Sequence, residues 1–68
     1  MTNMQKILAQ GFFYDRFNEK CHILHRTDEY IVYKYYSNKQ WYFIAESMFE
    51  FEVHTQYKTL HTAERKEK

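Results

Sequence analysis

Cys21-His22-Ile23-Leu24-His25 is the densest run of chemically capable side chains in the sequence. A zinc site needs four Cys, His or carboxylate ligands that converge in a tetrahedron. On a strand Cys21 and His25 share a face while His22 points away. His54 and His61 could complete a set only through the fold, and the chain has neither a CxxC nor an HExxH arrangement. The reading is ordinary strand histidines and no metal. Cys21 as a nucleophile would need a helix N-terminus or a basic cluster to lower its pKa, and the sequence shows neither around it. General acid–base chemistry needs carboxylates that converge in a cleft. Asp28-Glu29 falls in a turn, where Asp is expected anyway, and Glu50 and Glu52 read as charges on an outer strand face. Gly11 is the only glycine, so no Gly-rich phosphate loop exists, and Ser37 and Ser47 fit a turn and a cap. No catalytic residue and no cofactor is assigned, and the chain does not read as an enzyme.

What remains is binding chemistry, carried by aromatic side chains. The 68 residues include seven Tyr, six Phe and one Trp, and 44% of the chain is apolar, which excludes disorder and low complexity. A chain this short buries only about 60% of its unfolded surface, so a large cofactor cleft is not expected. Ten Lys plus Arg against nine Asp plus Glu give a net charge of +1, without the basic excess of a dedicated duplex-DNA binder. Cys21 stands alone, so no intramolecular disulfide is possible, and such a small domain relies on packing, a partner or oligomerisation. No apolar run approaches the length of a membrane span, and residues 1–10 lack the apolar stretch of a signal peptide. The expectation is a cytoplasmic protein, one domain over 1–68, with no membrane partner.

The elements that must position these side chains follow from periodicity. Met4, Ile7 and Leu8 mark one face of a short helix over 2–10, and Gly11 ends it. Phe12, Phe13, Tyr14 and Phe17 read as a first strand, 21–26 as a second, 30–36 as a third and 41–45 as a fourth. Turns are expected at Asn18-Glu19, Thr27-Asp28 and Ser37-Asn38-Lys39. Beyond Glu46, Phe49, Phe51 and Val53 alternate with Glu50 and Glu52, which favours a fifth strand over 49–54. Ser47-x-x-Glu50 also fits a capping box, and Phe49, Val53, Tyr57, Leu60 and Ala63 fit one helical face. Under either reading 58–68 is helical. The fold class is α+β: a small antiparallel meander of four to five strands, a short N-terminal helix and a C-terminal helix.

Two-residue hairpin loops at those turns would fix the register. One face then holds Cys21, Ile23, Tyr30, Val32, Tyr36, Trp41, Phe43 and Ala45, and the other holds His22, Leu24, Ile31, Tyr33, Tyr35, Tyr42 and Ile44. Both faces are apolar, and the short helices can cover only one. The tyrosine-rich face is expected to remain open unless the N-terminal helix reaches it. Exposed aromatic patches mark binding surfaces. The candidate partner-binding residues are therefore Tyr33, Tyr35 and Tyr42, with Lys34, Lys39, Glu50 and Glu52 setting orientation.

Tyr30-Ile-Val-Tyr, Trp41-Tyr-Phe-Ile and Tyr57-Lys-Thr-Leu-His-Thr-Ala63 together resemble small phage and mobile-element accessory proteins. Those carry a β-hairpin with a Trp, then an aromatic-x-Thr-Leu-x-x-Ala segment opening a helix. The same stretch is loosely similar to integrase arm-binding domains. The phage resemblance implies a small protein-interaction module that binds and occludes a host factor of the defence, CRISPR or transcription machinery; it carries over no functional residue. Two other readings stand beside it. Lys34 among aromatics, with Arg16, Lys20, Arg26 and Lys39, could form a basic aromatic sheet on which bases stack, although the glycine and basic spacing of the RRM motif is missing. The chain could also be a homodimeric structural subunit.

Overall fold

The structure is a computed structural model that describes residues 2–57 and 59–64. It is an α+β fold with the element order α1 (Asn3–Gln10), β1 (Phe12–Tyr14), β2 (Lys20–Arg26), β3 (Tyr30–Ser37), β4 (Gln40–Ser47) and α2 (Met48–Gln56). The four strands form one antiparallel meander in the order β1-β2-β3-β4.

Local chemistry explains α1. Thr2 caps it reciprocally: the Gln5 N–H donates to Thr2 Oγ1 at 3.1 Å, and the Thr2 N–H donates to Gln5 Oε1 at 2.8 Å. A capping box of this kind satisfies two otherwise orphaned donors. Gly11 closes the helix at φ 83°, with its N–H on the Ile7 carbonyl at 3.0 Å. The β3–β4 turn is equally local. Asn38 and Lys39 take φ 51° and 64°, the paired left-handed geometry of a type I′ hairpin, and Ser37 lies opposite Gln40.

Two sequence expectations fail beyond β4. Residues 49–54 are helical, not a fifth strand. Ser47 Oγ accepts the Glu50 N–H at 3.1 Å and starts α2. Residues two apart on a helix lie about 200° apart, so the alternation of Phe49 and Phe51 splits across α2: Phe51 is fully buried and Phe49 is 79% exposed. After α2 the described residues 59–64 are not helical either. His61 bridges Tyr14, each N–H donating to the other's carbonyl at 2.7 and 2.8 Å, so the segment closes the free side of β1. The likeness through 57–63 therefore lacks its helix start at 59–63; Lys58 and 65–68 lie outside the described residues.

The core is Ile7, Phe13, Cys21, Ile31 and Phe51, with Leu60 at its margin. Phe13 meets Phe51 edge-on at 5.3 Å between ring centroids. Both helices pack on the same side of the sheet, α1 through Ile7, Met4 and Leu8, α2 through Phe51 and Met48. Among the described residues no helix is long and apolar enough to cross a membrane.

Candidate interaction surface

The path of β2 against β3 decides which side chains face the helices. The β2–β3 turn is centred on Asp28-Glu29 in place of Thr27-Asp28, which moves the pairing by two residues and so changes no face. Thr27 donates its N–H to the Tyr30 carbonyl at 2.8 Å, its hydroxyl accepts from the Glu29 and Tyr30 N–H groups, and the first paired residues are Arg26 and Ile31. The register then shifts once more between Ile23 and His25, a bulge at Leu24. An extra residue sends every following side chain to the opposite face. Ile23 therefore lies opposite Tyr33 and Cys21 opposite Tyr35, in place of the expected Ile23–Val32 pairing.

As a result the two faces exchange roles. Phe13, Cys21, Ile23, Ile31, Tyr33, Tyr35, Tyr42 and Ile44 share the helix-covered side. Tyr33 packs edge-on against Phe13 at 5.0 Å and donates its hydroxyl to Glu46 at 3.3 Å. Burial, followed by the Glu46 charge, pushes the Tyr33 phenol well above its usual pKa. Tyr35 stacks on Tyr42 at 5.2 Å, and Tyr42 is half-buried. Of the tyrosines expected on an open face, Tyr33 and Tyr35 are thus packed against the core under the helices, and Tyr42 lies on the same side beside Tyr35. Of the other expected site residues, Lys34 lies on the open face, Lys39 in the exposed β3–β4 turn, and Glu50 and Glu52 on α2. The seven do not form one patch.

The open face holds Tyr30, Val32, Tyr36, Trp41, Phe43 and Ala45, from the face expected to be covered, together with Phe12, His22 and Lys34. Its rows are Phe12–His22–Lys34–Phe43 and Tyr36–Trp41, with Val32 and Ala45 paired beyond and Tyr30 at the far end. Phe43 is 65% exposed, Tyr36 51%, Trp41 46% and Tyr30 43%, an unusual load of aromatic surface for one sheet face. Tyr36 and Trp41 meet edge-on at 5.3 Å. Lys34 Nζ lies 4.5 Å from the Trp41 ring centroid and Lys20 Nζ 4.4 Å from that of Phe12. These contacts cover apolar ring surface with lysine stems while the charged heads stay wet. The strand positions on this face carry Lys20 and Lys34 and no carboxylate. Glu46 lies on the helix side, 3.6 Å from His54, and Asp15 and Glu19 act on the buried Cys21.

Lys34 was the signal that could have identified this face from sequence. A lysine in mid-strand keeps its ammonium in water, and Lys34 shares a face with Val32, Tyr36 and, through the β3–β4 register, Phe43.

The fold places the other candidates apart from one another. Cys21 is buried, and burial, with Asp15 and Glu19 adding to it, pushes its thiol up to about 12, so it is protonated and shielded. His22 and His25 lie beside Trp41 and Tyr30, His54 on α2 and His61 on the β1 edge. Among the described residues no three His, Cys, Asp or Glu side chains gather into a metal-binding group. Two shallow cavities of about 310 and 280 Å³ lie outside this face, one between Met4 and Thr55 and one between Phe17 and Leu60. No protein-family model, curated protein or solved structure matches the chain.

Proposed function

We propose that the chain is a small protein-interaction module that docks through the outer face of its sheet. Its partner is a protein with an apolar patch flanked by carboxylates. One observation carries this reading: Trp41, Phe43, Tyr36 and Tyr30 stand exposed together on a face whose strand-borne formal charges are Lys20 and Lys34. Trp and Tyr dominate binding energy at protein interfaces, and cations steer an acidic-rimmed partner into register. Val32 and Ala45 between the rings favour a protein over nucleic acid, since they offer a base neither a stacking plane nor a charge. A four-stranded face lies across a partner's surface, so the module acts by occlusion, as expected of a phage- or plasmid-type inhibitor of a cytoplasmic host factor.

The test places a photo-crosslinking residue at Phe43 and, separately, at Phe49, which is exposed on α2. In the source cell a defined protein is captured from Phe43 and not from Phe49, and Trp41→Ala abolishes the capture. Equal capture from both positions contradicts the reading. Micromolar binding of fluorescent single-stranded DNA or RNA that weakens steeply with salt and is lost in Trp41→Ala reassigns the face to nucleic acid.

A further inference from the structure

The two edges of the sheet are treated differently. The β1 edge is closed: Tyr14 and His61 exchange two main-chain bonds, and Gln10 Nε2 donates to the Thr62 carbonyl at 2.9 Å. The β4 edge has no described segment beside it. Natural edges are blunted by Pro, Lys, bulges or short strands. β4 has none of these: its eight residues pair with β3 in unbroken register, and its sequence, QWYFIAES, contains no Pro and no Lys. Its one charged residue, Glu46, points to the helix side, where the Tyr33 hydroxyl and His54 hold it.

The geometry points to β4 pairing with β4 of a second copy of this chain, antiparallel about a two-fold axis at Phe43, so that two four-stranded sheets become one. A two-residue turn makes Ser37–Gln40 a hydrogen-bonded pair. Bonded and non-bonded pairs then alternate along the hairpin. The main-chain N–H and C=O groups of Trp41, Phe43 and Ala45 are therefore the ones turned away from β3.

Self-pairing on these groups places Phe43 opposite its copy and Trp41 opposite the second copy's Ala45, a large ring against a methyl. On the other face Tyr42 meets the second copy's Ile44. The amide of Gln40 meets the second copy's Glu46, so a carboxylate gains a donor and no like charges face each other. Shifting the axis by one residue pair in either direction leaves part of 40–46 unpaired. Centred on Phe43, the joint makes about six main-chain hydrogen bonds, two for each of three bonded pairs. A two-fold axis normal to the sheet keeps each face on its own side, so the two aromatic outer faces merge into one. This association uses the strand edge and leaves docking through the outer face independent of it.

Sedimentation equilibrium over a concentration series tests the pairing. The wild-type mass rises from monomer towards dimer, whereas Ala45→Pro stays monomeric with an unchanged circular dichroism spectrum. Proline there removes an outward N–H and no bond to β3. If Ala45→Pro does not fold, Phe43→Lys serves, because it sets two ammonium groups opposite each other at the axis. The register is read by disulfide formation. Phe43→Cys crosslinks to itself on mild oxidation, since bonded pairs have Cα atoms about 5.5 Å apart, inside the range a disulfide spans. Trp41→Cys crosslinks only when mixed with Ala45→Cys. A wild type that stays monomeric throughout, or a dimer unaffected by Ala45→Pro and lost in Tyr36→Ala, overturns edge pairing. The second result places self-association on the sheet face.

Discussion

Lys34 on β3 holds its ammonium nitrogen 4.5 Å from the ring centroid of Trp41 on β4, on the side of the sheet opposite α1 and α2. An exposed contact of this kind contributes about 0.5–1 kcal/mol. Its larger effect is to hold the one indole of the chain in place on the open face, beside Tyr36 at 5.3 Å and His22 at 6.3 Å.

Trp41→Ala is expected to separate binding from folding. Trp41 is about half exposed, so truncation costs less stability than a core deletion, about 1 kcal/mol or less. A central interface Trp contributes about 2 kcal/mol or more to binding, roughly thirtyfold in affinity. Urea denaturation and titration against the protein captured through Phe43 measure the two quantities. A large loss of stability with unchanged affinity would show that Trp41 holds the sheet together instead of docking.

Tyr33 behaves in the opposite way. Its ring lies among Phe13 and Phe51 under the helices, and its hydroxyl bonds Glu46. Tyr33→Phe should cost about 1 kcal/mol for the lost bond, and Tyr33→Ala about 3 kcal/mol. A domain of this size rarely holds more than about 3–5 kcal/mol, so the alanine variant is largely unfolded at 37 °C by circular dichroism. A folded Tyr33→Ala with wild-type stability would contradict the packing.

Alkaline pH should weaken the fold through Cys21. Its thiol rises from 9.0 to about 12 on folding, so the native state keeps a proton that the unfolded state releases. Stability from this group is complete below pH 9 and falls as pH climbs towards 12, with a slope of at most about 1.4 kcal/mol per pH unit. Tyr33, also raised, steepens the fall above pH 10. Urea midpoints from pH 8 to 11 should decline in the wild type and decline less in Cys21→Ala. At pH 8 the folded chain should resist iodoacetamide, and rapid alkylation would show an open thiol.

Lys39→Gly should stabilise the hairpin. Lys39 sits at φ 64° in the second position of the type I′ turn, where a Cβ is disfavoured and Asn-Gly is the preferred pair. The gain, net of glycine's greater freedom in the unfolded chain, is about 0.5–1 kcal/mol. A shift in thermal midpoint measures it, and a drop would mean that the Lys39 side chain makes a contact that offsets its backbone strain.

Much of the architecture is legible along the chain because its determinants are local. The Thr2 cap, the Met4/Ile7/Leu8 stripe, the Gly11 stop and the Asn38-Lys39 turn each act within a few residues. They set α1, the β3–β4 hairpin and its register, in which Tyr36 faces Trp41 and Lys34 faces Phe43. The 49–54 region was ambiguous because Phe49, Phe51 and Val53 satisfy a period of two while Ser47 and Glu50 satisfy a helix start, and the Ser47 cap prevailed.

The candidate surface was not legible in the same way. Sequence alone determined that both faces of the sheet are apolar and that little helix is available to cover them. Which face is covered depends on long-range packing. Strand alternation makes the two faces equivalent until something breaks the tie, and two features separated along the chain do so. The Leu24 bulge moves Cys21 and Ile23 to the side of Tyr33 and Tyr35. Ile7 from α1 and Phe51 from α2 then close over Phe13 on that same side. Burial there leaves Trp41, Phe43 and Tyr36 facing water, because the described residues form two layers and none lies over the opposite face.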